Sequence, residues 1–531
     1  MSAELTLRVL SALLREDVVG LRSLGTLEER PDGLWISRGD LLLPVEPDGF
    51  QSDHAARLPL IRRSDGTELT SFDSVLAALR DLAAPEDRPG FDAFAEEYRQ
   101  TAETVRLHDE TRTAVLDALA ARYGADPADW PTLALDTLAA RLDHPVYPTA
   151  RGRAGLTSEQ LRLYAPEFHP RFTLRWVAVP REKVTLSGTL PSLWPTLEAL
   201  GLPELTATHV PFPVHPLTVD SLDSDVVLSD VPYLDVVPTL SMRTVAVVDD
   251  PTLHLKLPLA TSTLGLRNKR SIKPGTLVDG VAGQRLVEWV LEREPRFQDS
   301  VLHADETTYA HAGHELLAVL CRRQPSETAV PLAALLAEAP GGRLVVDHLA
   351  DRYYGGDRLA FFDALFTLLF DWQTTLFGHG VALESHQQNV SVVLEPGRVK
   401  LLFKDDDGPR VNTDRLGHTP AFDDARTFTT EDGPVVDVFT TITLHLCAGA
   451  YAFGLPDPAL LDLIRDRLTE AVERLGGEAG AVLRKRVLEA PRLPVKAMVS
   501  AGTLLTKERS GAADVNKHYT DGPNYLLRDG S

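Results

Sequence analysis

Residues 378–410 have the sequence GHGVALESHQQNVSVVLEPGRVKLLFKDDDGPR, and this stretch decides the fold class of the 531-residue chain. It follows the strongly apolar helical pattern AFFDALFTLLFDWQTTLFG at residues 360–378. Two alternating apolar runs within it are separated by Glu395-Pro396-Gly397, which predicts a β-hairpin. A buried helix followed at once by a hairpin indicates a mixed α+β fold.

Two groups of polar residues flank the predicted hairpin. They are Glu384, His386, Gln388 and Asn389 before it, and Asp405, Asp406 and Asp407 after it. Carboxylates at a strand end suit a nucleotide-bound Mg²⁺ ion, which takes only one or two protein carboxylates. Taken alone, the pattern favours this site no more than the alternative, in which residues 386–389 form a satisfied polar loop and the aspartates a solvated turn. Zinc is not favoured, because His379 and His386 lie across a loop without a nearby thiolate.

A second cluster lies in residues 238–270, PTLSMRTVAVVDDPTLHLKLPLATSTLGLRNKR. Its candidate anion-binding residues are Ser241, Arg243, Thr244, Lys256 and Arg267. Strand alternation would place Ser241 and Arg243 on one face, where a hydroxyl and a guanidinium can converge on one anion. The alternative is that these cations line an exposed face of a sheet. The chain has no Walker glycine loop that would supply phosphate-binding amides.

A third cluster, at residues 143–168, has the sequence DHPVYPTARGRAGLTSEQLRLYAPEF. Its proline-rich entry brings together His144, Arg151 and Arg153, a set that could clamp a polycarboxylate. His215, in FPVHPLTVD, also follows a proline-bounded turn, and a structural role in that turn is the simpler interpretation.

Hydrophobic periodicity divides the chain into three regions. Residues 1–143 have mainly helical spacing, residues 144–278 have short alternating or β-branched runs, and residues 279–531 return to helices around the hairpin. A chain of this length is too long for one ordinary core, so three substructures are expected.

Composition limits the partners and the compartment. The 54 basic and 76 acidic residues give a net charge of -22, which opposes non-specific binding to nucleic acid or anionic membranes. The two cysteines lack a metal-binding or disulfide spacing. Neither a long apolar run nor a signal-peptide pattern is evident, so we expect a cytoplasmic protein without membrane contact.

The three clusters, in this order, resemble the siderophore synthetases that work independently of nonribosomal peptide synthetases. This IucA/IucC-like family includes the aerobactin-, achromobactin- and desferrioxamine-type synthetases. The family pattern H-P-x-H-P-x-x-K-x-R-x-G is met by HPVYPTARGRAG, S-x-R-T by SMRT, and E-x-H-x-Q-N by ESHQQN. The resemblance runs from residue 143 to residue 410, and the three motifs together are far more specific than any one of them.

The resemblance implies a cupped-hand fold with thumb (1–143), fingers (144–278) and palm (279–531), the palm being distantly kinase-like. It also implies binding of ATP and Mg²⁺ in the central cleft. The implied ATP contacts are Ser241, Arg243, Thr244, Lys256, His386, Gln388, Asn389 and Asp405. Glu384 and Asp405 would serve Mg²⁺, and His144, Arg151, Arg153 and Arg267 the acid. Lys256 and Arg267 would be catalytic, and His386 is expected either to act as a base of near-neutral pKa or to orient the acid.

Four departures from the family pattern concern the substrates. Tyr147 replaces the second histidine of the first motif, Arg151 replaces its lysine, Leu217-Thr218 replaces a frequent Trp-Gln, and Lys404 replaces an arginine. These positions lie near the expected acyl and nucleophile pockets. The departures therefore leave the adenylation residues intact and make the substrates uncertain.

The expected activity is adenylation of citrate or a related polycarboxylate, followed by condensation with an amine or hydroxyl and release of AMP and pyrophosphate. A homodimer is a family expectation. One alternative is a kinase-like phosphotransferase, which would release ADP, although the chain has no kinase glycine loop or H-R-D motif. The other is a non-catalytic metabolite-binding relative, which would have lost its phosphate contacts.

Overall fold

Helices and sheets alternate along the chain, and the fold is mixed α+β, as predicted. The structure is a computed structural model that describes residues 2–222, 226–511 and 518–527. The α-helices are α1 (Ser2–Arg15), α2 (Phe72–Leu82), α3 (Arg88–Tyr123), α4 (Thr132–Ala140), α5 (Ser158–Tyr164), α6 (Pro274–Arg293), α7 (Val345–Tyr354), α8 (Arg358–Gly378), α9 (Thr413–Leu416), α10 (Asp432–Val438), α11 (Ala450–Gly454), α12 (Ala459–Leu475), α13 (Gly477–Leu483) and α14 (Lys507–Ser510).

Within the described residues, the strands belong to six sheets. They are β1 (Thr26–Arg30), β2 (Gly33–Arg38), β3 (Leu41–Pro47), β4 (His54–Ala56), β5 (Ile61–Arg63), β6 (Glu68–Leu69), β7 (Phe172–Thr173), β8 (Arg175–Pro180), β9 (Thr185–Ser187), β10 (His209–Val214), β11 (Val227–Leu228), β12 (Asp235–Pro238), β13 (Thr244–Val247), β14 (Asp250–Lys256), β15 (Val301–His303), β16 (Asp305–His314), β17 (Leu317–Arg323), β18 (Val330–Pro331), β19 (Val381–Ala382), β20 (Val390–Glu395), β21 (Arg398–Phe403), β22 (Arg410–Asn412), β23 (Phe428–Thr429), β24 (Arg492–Lys496) and β25 (Tyr519–Pro523).

The N-terminal region contains a sheet that helical periodicity does not predict. Strands β1, β2, β3, β5 and β6 lie side by side, and β4 pairs with β3. Helix α1 covers this sheet with a buried apolar stripe that includes Leu10, Leu13 and Leu14. The edge strand β1, TLEER, is mostly exposed and lacks an apolar alternation, which explains why the sequence pattern misses it.

The central sheet has the strand order β7-β12-β13-β14-β17-β16-β9. It combines strands from residues 172–256 with β16 and β17 at residues 305–323, so the boundary predicted at residue 278 falls inside the segment that completes this sheet. Leu253 and Leu255 of β14 face the apolar core of this region, whereas His254 and Lys256 face the opposite side. Arg322 of β17 pairs with His254 of β14. This pairing places Arg322 on the same polar face of the sheet as Lys256.

The predicted hairpin is confirmed as β20 and β21, whose closing pair is Glu395 and Arg398. Gly397 has φ of 72°, a left-handed conformation that glycine adopts without strain. Val390 pairs with Phe403, and the amide of Lys404 donates to the carbonyl of Asn389 at 3.1 Å. The two polar groups that flank the hairpin in sequence are thereby brought together.

The hairpin rests on α8, most of whose apolar residues are buried, and α8 packs against α12. A continuous helical segment, Asp432–Gly454, is long and apolar enough to cross a membrane, but 89% of its most apolar window is buried inside the protein. Its middle part, Phe439–Gly449, is π-helical. The segment therefore has the environment of a core helix.

Candidate active site

Lys256 and the aspartates after the hairpin form the centre of the candidate site. Lys256 Nζ donates to Asp405 Oδ2 at 2.6 Å and to Asp407 Oδ2 at 3.2 Å. Burial lowers the pKa of Lys256, but the charges of the two aspartates outweigh this effect, and the pKa is raised overall. The ammonium group therefore stays charged and joins the end of β14 to the segment that follows β21.

Arg322 and Glu306 complete this centre, and sequence reasoning missed both of them. Arg322 Nε donates to Glu306 Oε1 at 2.7 Å, and Arg322 Nη2 lies 3.0 Å from Asp405 Oδ2. Both side chains are almost fully buried. The available signal was the alternation in β17, LAVLCRR, which turns Arg322 and Arg323 to opposite faces of the sheet.

The three consecutive aspartates have different ionisation properties. Burial would raise the pKa of Asp405, but Lys256 and Arg322 hold this pKa well below its usual range. Burial and neighbouring acidic charges raise the pKa of Asp406 well above its usual value. Burial and the charge of Asp405 also raise the pKa of Asp407. Asp405 is therefore the aspartate whose ionised form the site favours.

Ser241 and Arg243 lie in a tight turn, so the prediction that strand alternation aligns them was wrong. The turn connects β12 to β13, Met242 has φ of 61°, and the Arg243 amide donates to the Ser241 carbonyl at 2.7 Å. The Ser241 hydroxyl accepts from the amide of Thr244 at 3.2 Å. Thr244 itself is buried and begins β13 opposite Lys256.

Arg243 lies close to Asp405 and Asp407 and also contacts the segment that contains Arg270 and Ser271. Its Nη1 donates to the carbonyl of Ser271 at 3.0 Å. Burial lowers the pKa of Arg243, while the charges of Asp405 and Asp407 oppose this. The neighbouring Arg270 side chain lines the cavity, which has a volume of about 540 Å³.

Residues from all three sequence clusters line this cavity. Among the predicted site residues, these are His144, Arg151, Arg153, Ser241, Glu384, His386 and Gln388. Arg270 and Lys496 also line it, and sequence reasoning missed them because neither falls in a recognised motif. The cavity thus collects more cationic than anionic side chains, which favours a bound anion despite the acidic chain.

The 144–153 loop presents its donors in fixed orientations. His144 Nδ1 accepts from the amides of Val146 at 3.2 Å and Tyr147 at 3.0 Å, so the ring proton of the neutral imidazole lies on Nε2. Burial, followed by the charge of His386, lowers the pKa of His144 to about 3. Neutral His144 is thus left with a donor that can reach an anion in the cavity.

The two loop arginines are also held in place. Arg151 Nε lies 2.8 Å from Asp143 Oδ1, and Arg153 Nη2 donates to Glu167 Oε1 at 3.0 Å. Glu167 is only 1% exposed, which makes the second ion pair a rigid one. Both guanidiniums are therefore anchored on one side while still lining the cavity.

His386 is a weaker base than the sequence suggested. Burial, reinforced by the charge of Lys496, lowers its pKa to about 4. The prediction of a near-neutral pKa is therefore wrong, because the ring is buried among cations that disfavour its protonated form. At physiological pH His386 is neutral and is suited to orient a substrate or to accept a proton only transiently.

Arg267 and Asn389 lie outside the cavity lining, as do Arg243, Thr244, Lys256 and Asp405. The Arg267 side chain is exposed, and its Nη1 donates to the carbonyl of Ala501 at 3.2 Å. Asn389 Nδ2 donates to the carbonyls of Glu384 at 3.0 Å and Asp405 at 2.8 Å. Asn389 therefore connects the segments of the two candidate metal ligands through their backbones.

The carboxylates present fit a nucleotide-bound Mg²⁺ ion. Oxygens of Glu306, Asp405 and Asp406 are buried without a hydrogen-bond partner in the described part of the chain. Within the described residues, no group of three or more His, Cys, Asp or Glu is arranged to hold a metal by itself. Mg²⁺ that takes most of its ligands from phosphate and water needs only one or two of these oxygens.

Two family models match parts of this chain. Residues 132–337 match the model of the IucA/IucC family, and residues 359–509 match a model described as ferric iron reductase FhuF-like transporter. Staphyloferrin B synthase of Staphylococcus aureus is 23% identical over 351 residues, which cover 58% of this chain and 59% of the relative. The chain thus aligns with less than two thirds of that relative's length.

Two solved structures have the same fold. The petrobactin biosynthesis protein AsbB of Bacillus anthracis is 18% identical with a TM-score of 0.78, over 98% of this chain and 95% of the other. The ATP-bound aerobactin synthetase IucA of Klebsiella pneumoniae is 18% identical with a TM-score of 0.73, over 99% and 100%. The IucA/IucC match over residues 132–337 and the shared fold therefore confirm the resemblance to siderophore synthetases that the motifs predict.

Proposed function

We propose that this protein is an ATP-dependent synthetase that adenylates a carboxylic acid and condenses it with an amine in siderophore-like biosynthesis. The observation that carries the proposal is the 2.6 Å contact between Lys256 and Asp405, beside a cavity lined by cations. A nucleotide site next to an anion site is the arrangement that carboxylate adenylation requires. The ATP bound to the related aerobactin synthetase supports the choice of nucleotide.

The acid is proposed to bind in the cavity, with citrate or a related polycarboxylate as the preferred class. Arg151, Arg153, Arg270 and Lys496 supply positive charge there, and His144 supplies a neutral N–H donor. Several carboxylates on one small molecule would use this set better than a single carboxylate. Arg267 remains a candidate for the α-phosphate and the acid if its exposed side chain turns toward them.

The ATP phosphates are proposed to lie against Lys256, Arg243 and the turn at Ser241 and Thr244. A carboxylate that attacks the α-phosphorus brings two anions together, and these fixed cations reduce the repulsion. Mg²⁺ would be held by Asp405 and Glu384, and when bound it would neutralise charge on the phosphate oxygens. Asp405 is the best candidate of the three aspartates because the site keeps it ionised.

The condensation step needs an uncharged nitrogen nucleophile near the activated acyl group. His386 lines the cavity and is neutral, so it can accept a hydrogen bond from the amine and hold its lone pair toward the acyl carbon. Gln388 lines the same region and can orient either substrate through its amide. The orienting role is favoured over that of a base, because the pKa of His386 is about 4.

The proposal keeps the cupped-hand division, with one adjustment. The thumb would extend to residue 143, the fingers would include β16 and β17 to residue 323, and a kinase-like palm would follow. This adjustment is motivated by the central sheet, which contains both strands. A cytoplasmic location and a homodimer remain part of the proposal.

Product analysis tests the function. The protein would be incubated with ATP, Mg²⁺ and a panel of di- and tricarboxylates, with and without amines, and AMP, ADP and pyrophosphate would be separated. Pyrophosphate and AMP formed only with a particular acid support the proposal. ADP as the sole nucleotide product would favour a kinase-like phosphotransferase, and binding without turnover a non-catalytic relative.

A further inference from the structure

The cavity that holds the cationic residues also has an extended apolar surface. Six of its lining residues form this surface, which we term the apolar wall: Phe50, Leu336, Ile442, Leu446, Ala450 and Phe453. None of these side chains carries a polar group. The wall therefore cannot pair with a carboxylate or an ammonium group, and it suits a hydrocarbon surface of a ligand.

The wall is a continuous feature built mainly on one helix. Ile442, Leu446 and Ala450 follow one another at intervals of four residues in the segment Asp432–Gly454, so they lie on one face. The ring of Phe50 lies 4.8 Å from that of Phe453. A Cβ at the neighbouring Gly454 would lie 2.8 Å from Leu336 Cδ1, which shows how closely Leu336 packs against this helix.

The polar part of the cavity is a separate cluster. His386 lies within electrostatic range of Lys496 and Arg270, and His144 within range of His386. His144, Arg270 and Lys496 are proposed to hold the acid, and His386 is proposed to orient the amine nitrogen beside it. Ser241, from the proposed phosphate-binding turn, lines the same cavity. Once the acid and the phosphates occupy the polar part, the wall is the surface that remains for the second substrate.

We infer that the apolar wall receives the tail of the attacking amine, and that this protein prefers amines with an uncharged hydrocarbon or aromatic tail over zwitterionic amino acids. This inference rests on the proposed function. In the step concerned, the amine nitrogen bonds to the acyl carbon and the bond from that carbon to the AMP oxygen breaks. The electron pair leaves with AMP, and the nitrogen loses a proton to His386 or water.

The wall sets a quantitative expectation for a homologous series. Each methylene that moves from water onto an apolar surface raises kcat/KM about fourfold, until the wall is covered. A carboxylate at the end of the tail remote from the reacting nitrogen would have to be desolvated against the wall without a partner. Amino acids of the same length are therefore expected to react at least about tenfold less efficiently than the matching alkylamines.

The experiment separates this inference from the proposed function. Acid-dependent exchange of pyrophosphate into ATP without any amine tests adenylation alone. AMP release is then measured with propylamine, pentylamine, phenethylamine, lysine and 2,3-diaminopropionate. Phe453→Ser and Leu336→Ser shorten the wall, and Phe453 is 38% exposed, so its replacement is tolerated by the fold. Leu163→Ser on α5, at a residue 49% exposed and outside the cavity lining, is the matched control.

We expect rising kcat/KM from propylamine to pentylamine and phenethylamine, and a loss of this gain in the two wall variants but not in the control. Equal efficiency across the series, or a preference for the amino acids, would overturn the inference while leaving the adenylation result intact. If the two wall variants raise the KM for ATP and not the KM for the amine, the wall contacts adenine and the inference is wrong. If no acid supports exchange, binding of dansylcadaverine is measured instead by fluorescence titration. An affinity that Phe453→Ser leaves unchanged would overturn the inference.

Discussion

The hydroxyl of Tyr147 donates a hydrogen bond of 2.8 Å to Oε1 of Glu97, and both residues are buried. The same carboxylate accepts from the hydroxyls of Thr149 at 2.5 Å and Thr503 at 2.8 Å. Glu97 thus joins α3 to the 144–153 loop and to the chain near Ala501 that contacts Arg267. Tyr147 stands where the family pattern has a histidine, and its contact gives the departure a structural role.

Removing this carboxylate should destabilise the protein. Glu97→Ala leaves three buried hydroxyls without their acceptor and is expected to lower the free energy of unfolding by about 2 to 4 kcal/mol. Glu97→Gln keeps one acceptor oxygen and should cost less. Urea unfolding measures both, with Glu96→Ala on the exposed face of the same helix as the control. Equal stability of Glu97→Ala and Glu96→Ala would contradict the prediction.

Lys256→Met should abolish most of the adenylation activity. The substitution removes the ammonium group that contacts Asp405 and Asp407, and with it a fixed cation for the phosphates. We expect acid-dependent pyrophosphate exchange to fall about a hundredfold or more. Lys400→Met is the control, because Lys400 lies on β21 and pairs with Glu395 at the hairpin. Exchange that survives in Lys256→Met would remove the basis of the proposed nucleotide site.

The sequence predicts the parts of the site whose geometry is local. The hairpin is one example, because alternation and the Pro396-Gly397 turn determine its register, and the register brings Asn389 near Lys404. The strand that contains Lys256 is another, because a single lysine in an alternating apolar run must face away from the core. Local rules of periodicity and turn chemistry are sufficient for such features.

Features that depend on contacts between segments distant in sequence cannot be predicted from these local rules. Arg322 reaches Asp405 only because β17 pairs with β14, and nothing near Arg322 in the sequence indicates that partner. The orientation of Ser241 and Arg243 depends on the left-handed backbone at Met242, which alternation does not reveal. The pKa of His386 depends on burial beside Lys496, a residue in a distant strand.

A polycarboxylate should stabilise the protein against heat. Burial and the charges of Arg243 and Arg153 lower the pKa of Arg270 to about 9, so the guanidinium stays charged near neutral pH and a bound anion would offset the cost of its burial. At a concentration one hundred times its Kd, a bound acid adds about 2.7 kcal/mol of stability. Differential scanning fluorimetry with citrate against acetate at equal ionic strength should show a higher unfolding temperature with citrate.

Arg270→Leu should remove this stabilisation, because it deletes a cation that lines the cavity. Arg343→Leu is a suitable control, since Arg343 is exposed and pairs with Asp351 at 2.7 Å on the surface. An equal shift in both variants would place the acid elsewhere. The absence of a shift with every di- and tricarboxylate tested would contradict the proposed acid site itself.

His215 should make the stability of the fold sensitive to acid. The ring is completely buried, its Nδ1 accepts from the amide of Leu217 at 3.1 Å, and burial lowers its pKa to about 3. The unfolded histidine has a pKa of about 6.5, so below that pH the unfolded state binds a proton that the folded state does not. The stability contributed by neutral His215 is therefore complete above pH 6.5 and decreases by about 2.7 kcal/mol when the pH falls to 4.5.

His215→Asn retains a capping acceptor without this titration. Urea unfolding at pH 7.5 and 4.5 should therefore show a loss of unfolding free energy that is smaller in the variant by about 2.7 kcal/mol. The same loss in the variant and the natural chain would show that His215 is already protonated when the protein is folded.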